Sequence, residues 1–286
     1  SFLQLHPETA VITAMDADHL DIYSDLGHVK EAFKAFASQV GRTLIIKHGL
    51  DIAPGDTGAA IRTYSFDCPD ADFFASGIRK DECGYFTFDL HHPGGTVEGC
   101  RVGVPGWVNV ENGIAAAAIA LDYGLAPDKI REALATFAGV RRRFDIHYNR
   151  PGHAYMDDYA HHPAEIAAAI SSIRDIFPGR KLTAVFQPHL YTRTRDFADD
   201  FAESLGMADR LILLGIYPAR EEPIPGVTSR IIFDKVKTSS KVLIGKEELM
   251  ETLEKEEIDI LVTFGAGDID RFTGPVTEMM ERRYGK

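Results

Sequence analysis

Asp157-Asp158-Tyr159-Ala160-His161-His162-Pro163 closes an apolar run that begins at His153, and Phe186-Gln187-Pro188-His189-Leu190-Tyr191-Thr192-Arg193-Thr194-Arg195-Asp196 closes another that begins at Leu182. Short apolar runs of this kind, bounded by turn signals, read as buried strands. Pro163 is a favoured first-turn residue and opens a helix, and the second motif opens a helix that starts near Asp196. Two strand ends therefore deliver carboxylates, imidazoles and guanidinium groups to helix N-termini. In an open α/β sheet, ligands bind at that edge. Backbone N–H groups at helix starts also favour anions there.

Outward from this stretch the order is regular. Strand 153–158 precedes helix 163–176, and strand 182–187 precedes helix 196–207. Strand 210–216, helix 228–236, strand 241–244, helix 246–255, strand 258–264 and helix 268–284 follow. Such alternation predicts a Rossmann-like, doubly wound, mostly parallel sheet. Gly265-Ala266-Gly267-Asp268 lacks the third glycine of a dinucleotide fingerprint and reads as a tight strand-to-helix turn.

Upstream the pattern differs. Thr9 to Ala14 reads as a short buried strand, and Val29 to Val40 as a helix with one apolar face. Between them, Met15-Asp16-Ala17-Asp18-His19-Leu20-Asp21 gathers oxygen ligands around one imidazole. That cluster suits a divalent cation, and reads equally as an acidic loop capping the next helix. Residues 43–104 are mostly β, and two helices follow, one from the Pro105–Asn112 stretch to Tyr123 and one from Asp128 to Phe137, the latter burying Ile130, Leu134 and Phe137. Asn109 and Asn112, three apart, share a face at the first helix's start. Their amides suit an adenine edge; read without context, Asn109 is a helix cap. Gly139-Val140-Arg141-Arg142-Arg143-Phe144-Asp145 sits at a domain boundary, where an arginine can clamp phosphate oxygens bidentately. Asn149-Arg150-Pro151-Gly152 is the turn into the second domain.

The 286 residues favour two domains, divided as 1–144 and 145–286. A formal net charge of −12 argues against a broad nucleic-acid surface. Cys68, Cys83 and Cys100 have no metal-ligand spacing and read as reduced thiols of a cytoplasmic protein. No apolar run approaches the roughly 18 residues of a membrane span, and Ser1-Phe2-Leu3-Gln4-Leu5 lacks a basic signal-peptide start. The missing initiator Met is read as a start within a longer or processed protein.

Together these motifs resemble the Mur ligase family of cell-wall synthesis over almost the whole chain. They are most similar to its branch that joins L-alanine to UDP-N-acetylmuramate. The carrying residues are Asp18-His19-Leu20-Asp21, Asn109 to Asn112, Arg142-Arg143-Phe144 and the two motifs at 157–163 and 186–196. The resemblance implies a central ATP-binding domain over 1–144, present in part, and a C-terminal domain over 145–286 with amino-acid and nucleotide contacts. It also implies ATP-dependent amide synthesis through an acyl phosphate, with Mg²⁺. Carried over residue by residue, His19 ligates Mg²⁺, Asn109 and Asn112 hold the adenine, Arg143 the ATP phosphates and Asp158 the ribose. His161, His189 and Arg193 line the amino-acid site, with Arg193 pairing the alanine carboxylate. Drawing nucleotide contacts from both domains implies closure during the reaction.

The sequence departs from the family pattern at Val108, where a His is frequent, and at Leu190, where an Arg is frequent. The carbamylated lysine of several sister ligases falls near Phe33, beside Lys34. No G-x-x-G-K-T phosphate loop occurs among these residues. The chain is therefore read as a fragment, inactive alone, whose partner is the missing N-terminal part of the same protein. Rival readings are the murein tripeptide ligase, a folylpolyglutamate-type ligase, a non-catalytic binding module, and a metal hydrolase built on His161, His162 and His189.

Overall fold

The computed structural model describes residues 2–15, 26–238 and 240–285. They form two compact units, Ser1–Asp81 with Tyr85–Phe137, and Glu82–Gly84 with Ala138–Lys286.

In the first unit β1 (Thr9–Ile12), α1 (Leu26–Ala37), β2 (Thr43–Lys47) and β3 (Ala60–Tyr64) build a three-stranded parallel sheet in the order β1-β2-β3. Leu44, Ile45 and Ile46 of β2 are all buried because both faces of the sheet are covered. Leu44 and Ile46 join Ile12, Phe36 and Val40 on one face. Ile45 and Tyr64 belong to the core of the other face. That second core holds an antiparallel meander of β4 (Phe74–Lys80), β5 (Phe86–His92) and β6 (Gly95–Arg101), with α2 (Trp107–Asp122) and α3 (Pro127–Thr136). The alanines of α2 suit this position, since Ala115, Ala117 and Ala118 let the helix lie close to its neighbours. Ile130 and Leu134 of α3 are buried as expected, whereas Phe137 is 48% exposed. The helix ends at Thr136, and the extended backbone of Phe137 carries its ring off the buried face.

In the second unit β7 (Asp145–Arg150), β8 (His153–Asp158), α4 (Pro163–Ile176), β9 (Leu182–Phe186), α5 (Tyr191–Asp196) and α6 (Ala198–Leu205) come first. They are followed by β10 (Arg210–Leu213), α7 (Arg230–Phe233), β11 (Ser240–Leu243), α8 (Leu249–Lys255), β12 (Ile260–Phe264) and α9 (Thr273–Tyr284). The sheet order is β11-β10-β9-β12-β8-β7, parallel except for β7. Residues of β9 and β12 alternate between two cores. Ala184, Phe186, Val262 and Phe264 meet the helices α4 and α6 on one face, and Val185 and Leu261 meet α8 and α9 on the other. This is the doubly wound arrangement expected from the alternation.

Elements that differ from the sequence reading include three in the second unit. Asn149 and Arg150 belong to β7, so the turn into β8 is only Pro151-Gly152. The helix expected from Asp196 begins at Tyr191 and breaks at Phe197 (φ −115°, ψ 24°) before α6. The helix expected over 228–236 is the short α7, whose exit is tied down by Lys241 Nζ donating to the carbonyls of Phe233 and Val236.

Candidate active site

The C-terminal ends of β8, β9, β10 and β12 bring the two motifs to one edge of the second sheet. At the end of β8, Asp157 is fully buried and accepts from Thr263 Oγ1 at 2.7 Å and Arg142 Nε at 3.1 Å. Arg142 also donates to the Gly265 carbonyl and lies 4.9 Å from the Tyr159 ring centroid. A buried carboxylate needs such a partner. Asp158 points the other way along the alternation of the strand, and its two oxygens accept the N–H groups of Phe144 and Ala160, each at 2.8 Å. Burial pushes the Asp158 carboxyl up, against the pull of those amides, and neighbouring Asp157 adds to the rise.

Arg142 and Phe144 both adopt positive φ, 60° and 50°. The turn they make sends consecutive arginines in different directions. Arg142 is enclosed, while Arg143 is exposed, with Asp158 as its charge neighbour.

The second half of the first motif is a helix start. Pro163 takes the first position of α4, and Glu165 accepts the N–H groups of His161 and His162 at 2.9 and 3.2 Å. This is the reciprocal part of a capping box. Burial pushes the Glu165 carboxyl up, but the two amides and the adjacent imidazoles outweigh it and leave it below its usual range. His161 Nδ1 lies 3.0 Å from the Tyr159 carbonyl, which can only accept, so that nitrogen carries the proton.

His161 and His189 come together edge to face, with centroids 6.1 Å apart. His189 is half-buried, and its Nδ1 is a buried atom with no hydrogen-bond partner among the described residues. Arg193, on α5, has a buried Nη1 in the same condition. Burial lowers the His189 pKa, and the charges of Arg193 and His161 lower it further. A neutral imidazole beside an unpaired guanidinium N–H offers one place for an amine and one for a carboxylate. A buried polar atom without a partner calls for one, and a ligand or an ordered water supplies it.

Gln187 is 3% exposed and fixes the far side of this edge. Its Nε2 donates to Asp268 at 2.9 Å and its Oε1 accepts the Ile269 N–H at 3.1 Å. Lys246 pairs the other oxygen of Asp268. The Gly265–Asp268 stretch is thus a strand-to-helix turn, as expected. A Cβ at Gly267 would lie 2.4 Å from Gln187 Oε1 and 2.7 Å from Tyr217 Cγ.

The remaining candidates lie in the first unit. The cap of α2 is Gly106, not Asn109. Asn109 is half-buried and donates through Nδ2 to the Pro105 carbonyl at 2.7 Å. Its Oδ1 remains an acceptor, which fits the exocyclic amine of adenine, and exposed Asn112 sits one turn on. Lys47 and Glu111 form an ion pair of 2.9 Å near this helix start. His19 lies outside the described residues. Among the described residues no cluster of three or more His, Cys, Asp or Glu side chains is arranged to hold a metal ion.

Tyr217 and Glu221 escaped the sequence reading. Tyr217 stacks on His189 with centroids 5.8 Å apart, and Glu221 accepts the Thr192 N–H at 3.0 Å. Nothing in local spacing marks them, because both belong to a loop remote in sequence from the motif they touch.

Comparison with known proteins bears on the family and the fold. The Mur ligase middle domain matches residues 1–120, and the Mur ligase, glutamate ligase domain matches residues 142–267. The chain belongs to the Mur ligase family. This Mur ligase chain is 48% identical over 283 residues to the UDP-N-acetylmuramate–L-alanine ligase of Parabacteroides distasonis, covering 98% of the chain and 61% of that relative. It is 44% identical to the same-named protein of Porphyromonas gingivalis, covering 98% of the chain and 62% of the relative. It thus spans about three fifths of the length of these relatives.

Among solved structures, UDP-N-acetylmuramate-alanine ligase MurC from Thermotoga maritima superposes with a TM-score of 0.69 at 24% identity, over 98% of this chain and 61% of that one. Folylpolyglutamate synthase from Thermotoga maritima gives 0.68 at 18% identity, over 95% and 62%. At those identities the likeness is one of fold. No helix among the described residues is long and apolar enough to cross a membrane.

Proposed function

We propose that this chain is the ATP-dependent, L-alanine-adding part of a UDP-N-acetylmuramate–L-alanine ligase, acting in the cytoplasm in peptidoglycan precursor synthesis. Relatives of that name at 44–48% identity support the substrate pair. The observation that carries the reading is the pair of buried atoms without hydrogen-bond partners among the described residues, His189 Nδ1 and Arg193 Nη1, at the C-terminal edge of the second sheet. One carboxylate and one amine on a small amino acid match them.

In this reading the muramate carboxylate oxygen bonds to the γ-phosphorus of ATP as the bond to ADP breaks. The alanine nitrogen then bonds to the acyl carbon, phosphate leaves, and a proton is lost from the amine. Arg193 holds the alanine carboxylate by a charge-assisted hydrogen bond. His161 and His189 orient the amine, and a neutral His189 favours amine attack because it adds no further positive charge. Asn109 and Asn112 hold the adenine through an acceptor and an exposed amide. Arg143, exposed beside Asp158, meets the phosphates, and Asp158 presents its remaining lone pairs to the ribose. A divalent cation would offset charge on the transferring phosphoryl group, and His19 is its proposed ligand.

The test is substrate-dependent phosphate release by full-length protein containing these residues. The reading predicts turnover with ATP, Mg²⁺, UDP-N-acetylmuramate and L-alanine, and none when L-alanine is replaced by the murein tripeptide. Tripeptide turnover without alanine turnover contradicts it. The 286 residues alone contain no G-x-x-G-K-T stretch, and the same reading expects no ligation from them in isolation.

A further inference from the structure

The loop after β10 is tied to the Pro188–Arg193 segment in three ways. Leu190 N–H donates to the Tyr217 carbonyl at 3.0 Å and Tyr217 N–H donates to the Pro188 carbonyl at 2.8 Å, bracketing His189 in a parallel bridge. The Tyr217 ring lies nearly parallel to the His189 imidazole, at 16°. Glu221 accepts both the N–H and the hydroxyl of Thr192, the residue before Arg193. Ala219, at φ 50°, turns the loop so that both side chains reach the same segment.

These ties act on two residues that each have a buried atom without a hydrogen-bond partner among the described residues. Arg193 has a buried, unpaired Nη1, so its direction is inherited from the first turn of α5. Glu221 already occupies donors of that turn, which leaves the guanidinium as the donor open to an incoming carboxylate. Gly267 leaves no room for a Cβ beside Tyr217, so the ring that stacks on His189 is closely packed.

We propose that Tyr217 and Glu221 form a strap that positions His189 and Arg193, with Glu221 a positioning residue that acts through Thr192 and touches no substrate. The inference rests on the reading that Arg193 binds the amino-acid carboxylate. A displacement of about 1 Å at such a group is enough for a large kinetic effect.

The experiment compares E221A, T192V, the double variant, T192S and R193A in full-length protein, measuring kcat and KM separately for L-alanine and ATP. The strap predicts that E221A and T192V each raise KM for L-alanine about tenfold, with kcat and KM for ATP within about twofold. The double variant is no worse than E221A, because T192V removes one of the two bonds that E221A removes. T192S retains the hydroxyl and behaves as wild type. If E221A proves too unstable to assay, T192V decides, since it removes one bond and keeps its shape. An unchanged KM for L-alanine in T192V and E221A, or an equal loss for both substrates, overturns the strap. R193A separates the two claims: if it leaves KM for L-alanine unchanged, the amino-acid reading itself fails.

Discussion

Arg142 and Arg143 are neighbours with different work. Arg142 closes a buried ion pair with Asp157, while Arg143 faces solvent. Removing Asp157 leaves Arg142 the longer contact to Asp270 at 3.7 Å, and losing one partner of a buried pair costs up to about 3–5 kcal/mol. Asp157→Ala should lower the unfolding free energy of the second unit by that order in urea titration, whereas Arg143→Ala should leave it nearly unchanged. His189 makes a second prediction. Burial and then Arg193 depress its pKa, so it stays neutral in the folded state below the ordinary imidazole range. The sign follows: its contribution to stability is present above the unfolded pKa of about 6.5 and is lost as pH falls toward the folded value. Histidine NMR should show His189 titrating below that value, and Arg193→Ala should move it upward without restoring it, because burial is the larger cause. A downward move would contradict this account. At this scale the sequence displays His161, His189 and Arg193 within compact motifs. It does not display Glu221, which reaches Thr192 from 29 residues away, nor which arginine of a run is enclosed.

At the scale of elements, strands covered on both faces were legible because their apolar runs are continuous, as in β2, β9 and β12. The start of α4 was legible because Pro163 and Glu165 are both helix-start signals. α5 was not. It begins five residues before the expected start, after Leu190 has taken φ 72°, and its first turn is held by a carboxylate from another loop. The turn after β12 is the most constrained element of the edge. Gly267→Ala places a methyl group inside contact distance of Gln187 and Tyr217, so one of them must move. We expect a loss of about 1–3 kcal/mol, as for overpacking, together with a raised KM for L-alanine. Unaltered stability and kinetics in that variant would show that the turn is more compliant than its geometry indicates.

For the whole molecule, the change from a mostly β block over 43–104 to a regular βα alternation was visible in the sequence, whereas the antiparallel meander of β4, β5 and β6 was not. The strand order was not. Periodicity reports that a strand is buried, not that β12 inserts between β9 and β8. That insertion is what sets the turn at Gly265 against Gln187 and gathers both motifs at one edge. Family membership rests on matches across both parts of the chain, and the L-alanine reading rests on the edge of the second sheet. Steady-state kinetics of full-length wild type and Arg193→Ala, with L-alanine varied at saturating ATP, tests that reading most directly. Loss of a hydrogen bond to a charged group is worth about 1.5–3 kcal/mol, or about 10–100-fold. The account predicts a KM for L-alanine raised by that factor with KM for ATP within about twofold. An unchanged KM for L-alanine, with the loss appearing in KM for ATP instead, would contradict it.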